Sequence, residues 1–189
     1  MPIAASGKAS STISTRISRN CSTRRQAMND KLTAPGVGTE VTIVRTFAAP
    51  RELVFDCFTK AEHLERWWGP HHFDVPFSET DVRPGGKIRI DMRGPEPYGV
   101  NEVHGEFLEV DRPQRLVMAL RAFRDADGSW GIEHVSTFRF EEAPGGRTTM
   151  HLTTVVKQVS EALLPALEGM REGWSQSFEK LEALLPELA

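Results

Sequence analysis

Among the chain's 6 histidines, His134 stands where an imidazole could do the most. Ile132, His134, Ser136, Phe138 and Phe140 alternate with polar residues, so they share one face of a strand. That places an imidazole and a hydroxyl among apolar neighbours. A histidine so placed can hydrogen-bond a bound molecule, or move a proton near neutral pH. The competing outcome is a core histidine satisfied by a neighbouring side chain. His104 and Glu106 invite an acid–base pairing, but they alternate with Val103 and Phe107 and so face solvent. A one-residue slip would reverse that. The adjacent His71 and His72 do not match the spacing of zinc ligands, and no third His or Cys stands nearby, so no metal is expected. Gly85-Gly86 and Gly145-Gly146 read as hairpin turns, because neither opens a helix whose N-terminus would cradle an anion. No G-x-S-x-G nucleophile motif occurs, no cofactor is implied, and no catalytic residue is assigned.

A second group of residues offers a surface rather than a reaction. Ile88, Ile90 and Met92 alternate with Lys87, Arg89, Asp91 and Arg93, which turns Met92 inward. Leu116, Met118 and Leu120 follow the same rule. Together with Trp68, Phe77, His134, Phe138, Met170, Trp174 and Phe178, these methionines form the expected wall of a ligand cavity. Methionine adapts to irregular shapes, which suits a binding wall; a plain packed core is the alternative.

The elements that must position these residues follow from periodicity and turn chemistry. Val41, Ile43, Arg45 and Phe47 alternate as a first strand beginning after Thr39. Pro50 suits the first position of a helix whose apolar face is Leu53, Val54, Cys57 and Phe58. Thr59 and Glu62 have capping-box spacing, so a second short helix is expected from there to Gly69-Pro70. Turn clusters then recur at residues 83–86, 93–97, 111–113, 125–128 and 143–146, separating segments of strand length. Connections that short permit antiparallel hairpins and not parallel crossovers. Finally Leu163, Leu167, Met170, Trp174, Phe178, Leu181 and Leu185 are spaced by three or four, one face of a long helix. Pro165 marks its start or a kink. A sheet of about seven strands and one long amphipathic helix must bury their apolar sides against each other.

Composition sets the outer bounds. At 189 residues the chain has the length of about one domain. No apolar run reaches the roughly 20 residues of a membrane span. Residues 1–38 are Ser-rich and carry Lys8, Arg16, Arg19, Arg24, Arg25 and Lys31 against Asp30, a net of +5. Three readings stay open for them: a disordered tail, a transit-peptide-like segment, or extra sequence upstream of a start at Met28. Residues 39–189 form the expected domain and carry −8, which disfavours nucleic acid as a partner. The two cysteines, Cys21 and Cys57, make no disulfide framework, which points to a reducing, cytoplasmic setting.

The ordered motifs resemble a known family. They are Arg45-Thr46-Phe47-Ala48-Ala49-Pro50 with Val54-Phe55; Trp67-Trp68-Gly69-Pro70 with Phe73; Val82-Arg83-Pro84-Gly85-Gly86; Gly105-Glu106-Phe107 leading to Arg115-Leu116-Val117; and Gly169-Met170 with Gly173-Trp174 and Phe178. In this order they resemble the SRPBCC (START-like) superfamily, and within it the family related to the C-terminal domain of the heat-shock-protein-ninety ATPase activator. The resemblance implies an α+β helix-grip fold, a curved antiparallel sheet around a C-terminal helix. It also implies a cavity for a small apolar or amphipathic ligand. Two alternatives remain: a cyclase- or hydratase-like enzyme using cavity residues, and a co-chaperone-like interaction protein. Homodimerisation is left open.

Overall fold

The computed structural model describes residues 35–189; Cys21 and the expected tail up to residue 34 lie outside the described residues. Strand β1 (Glu40–Phe47) leads into helices α1 (Arg51–Cys57) and α2 (Ala61–Trp67). Six strands follow: β2 (Asp74–Thr80), β3 (Lys87–Arg93), β4 (Val100–Asp111), β5 (Arg115–Arg124), β6 (Trp130–Ala143) and β7 (Arg147–Val159). A 3-10 turn (Glu161–Leu163) then opens onto the long helix α3 (Ala166–Leu188), with Pro165 at its N-cap. Pro165 therefore starts the helix rather than kinking it. The strands form one sheet in the order β1-β7-β6-β5-β4-β3-β2, with every neighbouring pair antiparallel. The short connections read from the turn clusters dictate this meander, closed by β1 pairing with β7.

The sheet bends where its registers break, between Asp74 and Phe77, Phe107 and Glu109, and Glu133 and His134. Such bulges increase local twist and curve a strand. Gly105 adds to the bend: a Cβ there would stand 2.4 Å from the Ala119 carbonyl oxygen, so only glycine lets β4 and β5 come this close.

Helices α1, α2 and α3 cover the inner face. Phe47, Phe58, Trp67, Phe138, Phe140 and Phe178 are buried there and meet one another mostly at tilted or edge-on angles. Aromatic pairs prefer that geometry, and each such ring removes a large apolar area from water. Trp67 Nε1 donates to the Cys57 carbonyl at 2.8 Å, which satisfies its one polar atom. Burial pushes the Cys57 thiol up to about 12, so it acts as a small apolar residue.

Two local expectations are corrected. The Thr59 hydroxyl does not cap α2: it donates backward to the Phe55 carbonyl at 3.1 Å, and Lys60 is the N-cap without a side-chain bond. A threonine hydroxyl at the end of one helix finds that helix's unpaired carbonyls before the next helix's N–H groups. Phe77 does not join the inner wall. The bulge before it turns the ring to the outer face, where it is 43% exposed beneath the Arg89 guanidinium, 5.3 Å away.

Candidate functional site

The inner face is mostly apolar, and His134, Ser136 and Thr154 form a connected chain of polar side chains on it. His134 is half-buried, paired across the strands with Leu120 and Val156. Its Nδ1 is 3.1 Å from Ser136 Oγ, and Ser136 Oγ is 2.8 Å from Thr154 Oγ1. Both hydroxyls are fully buried. Burial pushes the imidazole down to about 4, so it is neutral at physiological pH. Nε2 takes no hydrogen-bond partner among the described residues.

One contact shows what this face of β6 meets: the Phe138 ring, on the same face as His134, is 5.8 Å from that of Trp174 on α3. His134 lies on that face beyond Ser136, toward the start of the strand. N-terminal to Trp174, the side chains of Leu163, Leu167 and Met170 are, like Trp174 itself, half-buried and rest against the core without being enclosed by it.

The residues expected to form the wall divide into three groups. Trp68, Met118, Phe138 and Phe178 are buried on the inner face. Met92, Met170 and Trp174 are half-buried with His134, and Trp174 also meets Trp68 and Phe178 at 5.2 and 5.6 Å. Phe77 alone lies outside. Thr154, Leu163 and Leu167 join the site without having been singled out for it. Thr154 alternates with Leu152 and Val156, and that polar break in an apolar row is the signal that marks it.

Lys180 on α3 holds the rim. Its Nζ donates to the carbonyls of Trp68, Gly69 and Phe73 at 3.2, 3.1 and 2.9 Å. Three N–H donors meet three carbonyls, which fixes the Trp67-Trp68-Gly69-Pro70 turn to the helix; burial lowers the pKa of the ammonium.

The outer face carries a groove of about 590 Å³, lined by Lys87, Arg89, His104, Glu106, Arg121 and Glu133, among others. Its floor is the row Ile88, Gly105, Leu120 and His134, whose side chains turn inward. Its Lys and Arg cations and its carboxylates are equal in number. Lys87 pairs with Glu106, Arg89 with Asp91 at 2.8 Å, and His104 with Glu102 at 2.9 Å. His104 and Glu106 do face solvent, as the alternation requires. On the inner face, by contrast, His134 Nε2 is the ring nitrogen without a hydrogen-bond partner among the described residues, next to the apolar Leu120 and Val156. Among the described residues no cluster of His, Cys, Asp and Glu is arranged to hold a metal, and no helix is long and apolar enough to cross a membrane.

A seven-stranded antiparallel sheet closed over a long C-terminal helix is the helix-grip class of α+β protein. Residues 48–186 match the family model for Activator of Hsp90 ATPase homolog 1-like proteins, and the chain belongs to that family. Solved structures agree. An AHSA1 protein from Silicibacter pomeroyi is 25% identical, with a TM-score of 0.64 over 80% of this chain and 100% of its own. A protein from Mycobacterium smegmatis is 27% identical, with a TM-score of 0.64 over 77% and 90%. One from Chromobacterium violaceum, at 23% identity and a TM-score of 0.67 over 77% and 96%, shares the fold. No curated protein matches the chain.

Proposed function

We propose that this protein binds a small, largely apolar molecule between the inner face of its sheet and the N-terminal half of α3. The reading rests on one observation above all: on the N-terminal half of α3, Leu163, Leu167, Met170 and Trp174 are only half-buried, whereas the C-terminal half buries Phe178, Leu181, Leu184 and Leu185. Apolar side chains left partly uncovered around a single polar anchor are what a small-molecule site requires. The family's helix-grip architecture supports the same reading. The hydrogen-bond partner of His134 among the described residues is the Ser136 hydroxyl and no carboxylate, so no counter-charge there would stabilise an imidazolium during proton transfer; this favours binding over turnover. Membership of a family named for an activator of the Hsp90 ATPase supports a co-chaperone role as a second reading. Homodimerisation and a cytoplasmic setting remain proposals of the same kind.

Native mass spectrometry of the purified protein tests the binding reading. The expected result is a retained molecule of small mass that Met170→Trp displaces by filling the cleft. Wild-type protein carrying nothing, and taking up no apolar additive on titration, overturns it.

A further inference from the structure

The hydrogen-bond chain behind His134 has a direction, and the direction determines what the cleft presents. Thr154 is fully buried, and among the described residues its hydroxyl has one polar neighbour, Ser136 Oγ at 2.8 Å. If Ser136 donated to Thr154, the Thr154 proton would be buried with no acceptor. Leaving a buried donor unpaired is costly enough to set the ratio of the two arrangements at roughly ten to one or more. Thr154 therefore donates to Ser136. The Ser136 proton then goes to its other neighbour, His134 Nδ1 at 3.1 Å. Nδ1 is thereby an acceptor, and in a neutral imidazole the proton sits on the other nitrogen.

We propose that His134 presents Nε2–H to the cleft as a fixed hydrogen-bond donor, and that the molecule bound there is uncharged, largely apolar and carries an acceptor oxygen such as a ketone or ester carbonyl. The ligand class rests on the binding reading above; the donor assignment does not. A group that only donates, such as an ammonium, would face a donor and leave both unpaired. A carboxylate would lose its water against Leu120 and Val156, the cross-strand neighbours of His134, with one neutral N–H in exchange, and burying a charge without a counter-charge is strongly unfavourable. An apolar molecule without an acceptor would fill the space and leave Nε2–H unsatisfied. A carbonyl meets both demands.

The test uses the full chain labelled with nitrogen-15 and long-range proton–nitrogen correlation of the histidine rings at neutral pH. The expected spectrum of the unliganded protein shows the Nε2–H form at His134, and Ser136→Ala turns it into a mixture of tautomers. A dominant Nδ1–H form in the wild type overturns the proposal. Titrations with 2-octanone, octane and octanoate then read the ligand class. The ketone is expected to bind at least about tenfold more tightly than octane and to shift the Nε2–H resonance, a preference that His134→Phe removes. Equal binding of ketone and octane refutes the ligand class while supporting the cleft. Octanoate binding more tightly than the ketone refutes the requirement for an uncharged molecule. If none of the three binds, the binding reading falls and the ligand class with it, and the tautomer result alone decides the donor assignment.

Discussion

The two halves of α3 lie against the same sheet and are built for different ends. From Ser177 onward the helix buries Phe178, Leu181, Leu184 and Leu185 against the aromatic core and α2. Arg45 and Arg66 hold its outer side through Glu182 and Glu187. From Ala166 to Gln176 no residue is fully buried, and the apolar stripe rests on the sheet half-covered. The stripe is continuous in sequence, so the difference is not one of hydrophobicity. It comes from what lies opposite. The C-terminal half meets rings that fill the space, whereas in the N-terminal half Trp174 alone, among the described residues, meets other rings. One end anchors the fold; the other is where the proposed ligand would lie.

The largest expected effect lies at the anchoring end. Phe178 is fully buried and its ring lies within 6.3 Å of those of Phe47, Phe58, Trp67 and Trp174. Phe178→Ala should cost about 3–5 kcal/mol, read as a lowered midpoint in urea unfolding. A cost below about 1 kcal/mol would mean that the two halves do not differ.

Acid should reach the binding end next. The folded imidazole of His134 is pushed down to about 4 from an ordinary 6.5, so the unfolded chain takes up the proton first. Its contribution to stability is fully present above about 6.5 and is lost as pH falls toward about 4. At its greatest the loss is on the order of 3 kcal/mol. Arg93 beside Asp74, and Ser129 beside Asp127, hold those carboxyls below their usual range, so their losses come at lower pH still. His134→Gln should flatten the melting temperature between pH 6.5 and 4 and leave the steeper fall below it. A wild-type profile as flat as the variant's would place the ring in water.

Lys180 tests the join between the halves. Lys180→Met keeps the stem and removes three donors, leaving the carbonyls of Trp68, Gly69 and Phe73 unpaired by the helix. About 1–3 kcal/mol should be lost in chemical denaturation, and amide exchange across residues 68–73 should accelerate. Unchanged exchange there would show that the turn is held by its own packing.

What the sequence made legible follows the same division. Period-two alternation and the spacing of α3 were enough to place the strands, the helix and the inward side of Trp174, because burial on one face leaves a regular imprint. Phe77 was misread because a bulge adds a residue without a mark in the alternation, and every side chain beyond it changes face. The Thr59 spacing fitted a cap, but two helices joined by a few residues compete for one hydroxyl, and sequence does not show which wins. His134 was legible as an inward residue. Thr154, which completes the chain through Ser136, lies on another strand, 18 positions from Ser136, and that pairing needs the β6–β7 register. Lys180 looks like any solvent-side lysine until the turn at residues 68–73 is seen beneath it.

Met170→Ala should have the smallest effect on stability and is for that reason the most discriminating. In a closed core, truncating methionine to alanine costs about 2–5 kcal/mol, since the lost contacts and the new cavity both count. Met170 is half-buried, and the side chains around it, Leu167 and Trp174, are half-buried too. Part of its surface stays in water in the folded chain, so truncation leaves no closed cavity and the expected loss, about 1 kcal/mol at the urea midpoint, falls below that range. If the cleft is a binding site, the same substitution should weaken retention of an apolar probe several-fold, because a wall has been removed from the space the probe fills. Stability and binding would then respond in opposite proportion at Met170 and at Phe178, two turns along one helix. A stability loss at Met170 matching that at Phe178 would make the N-terminal half a closed core like the other.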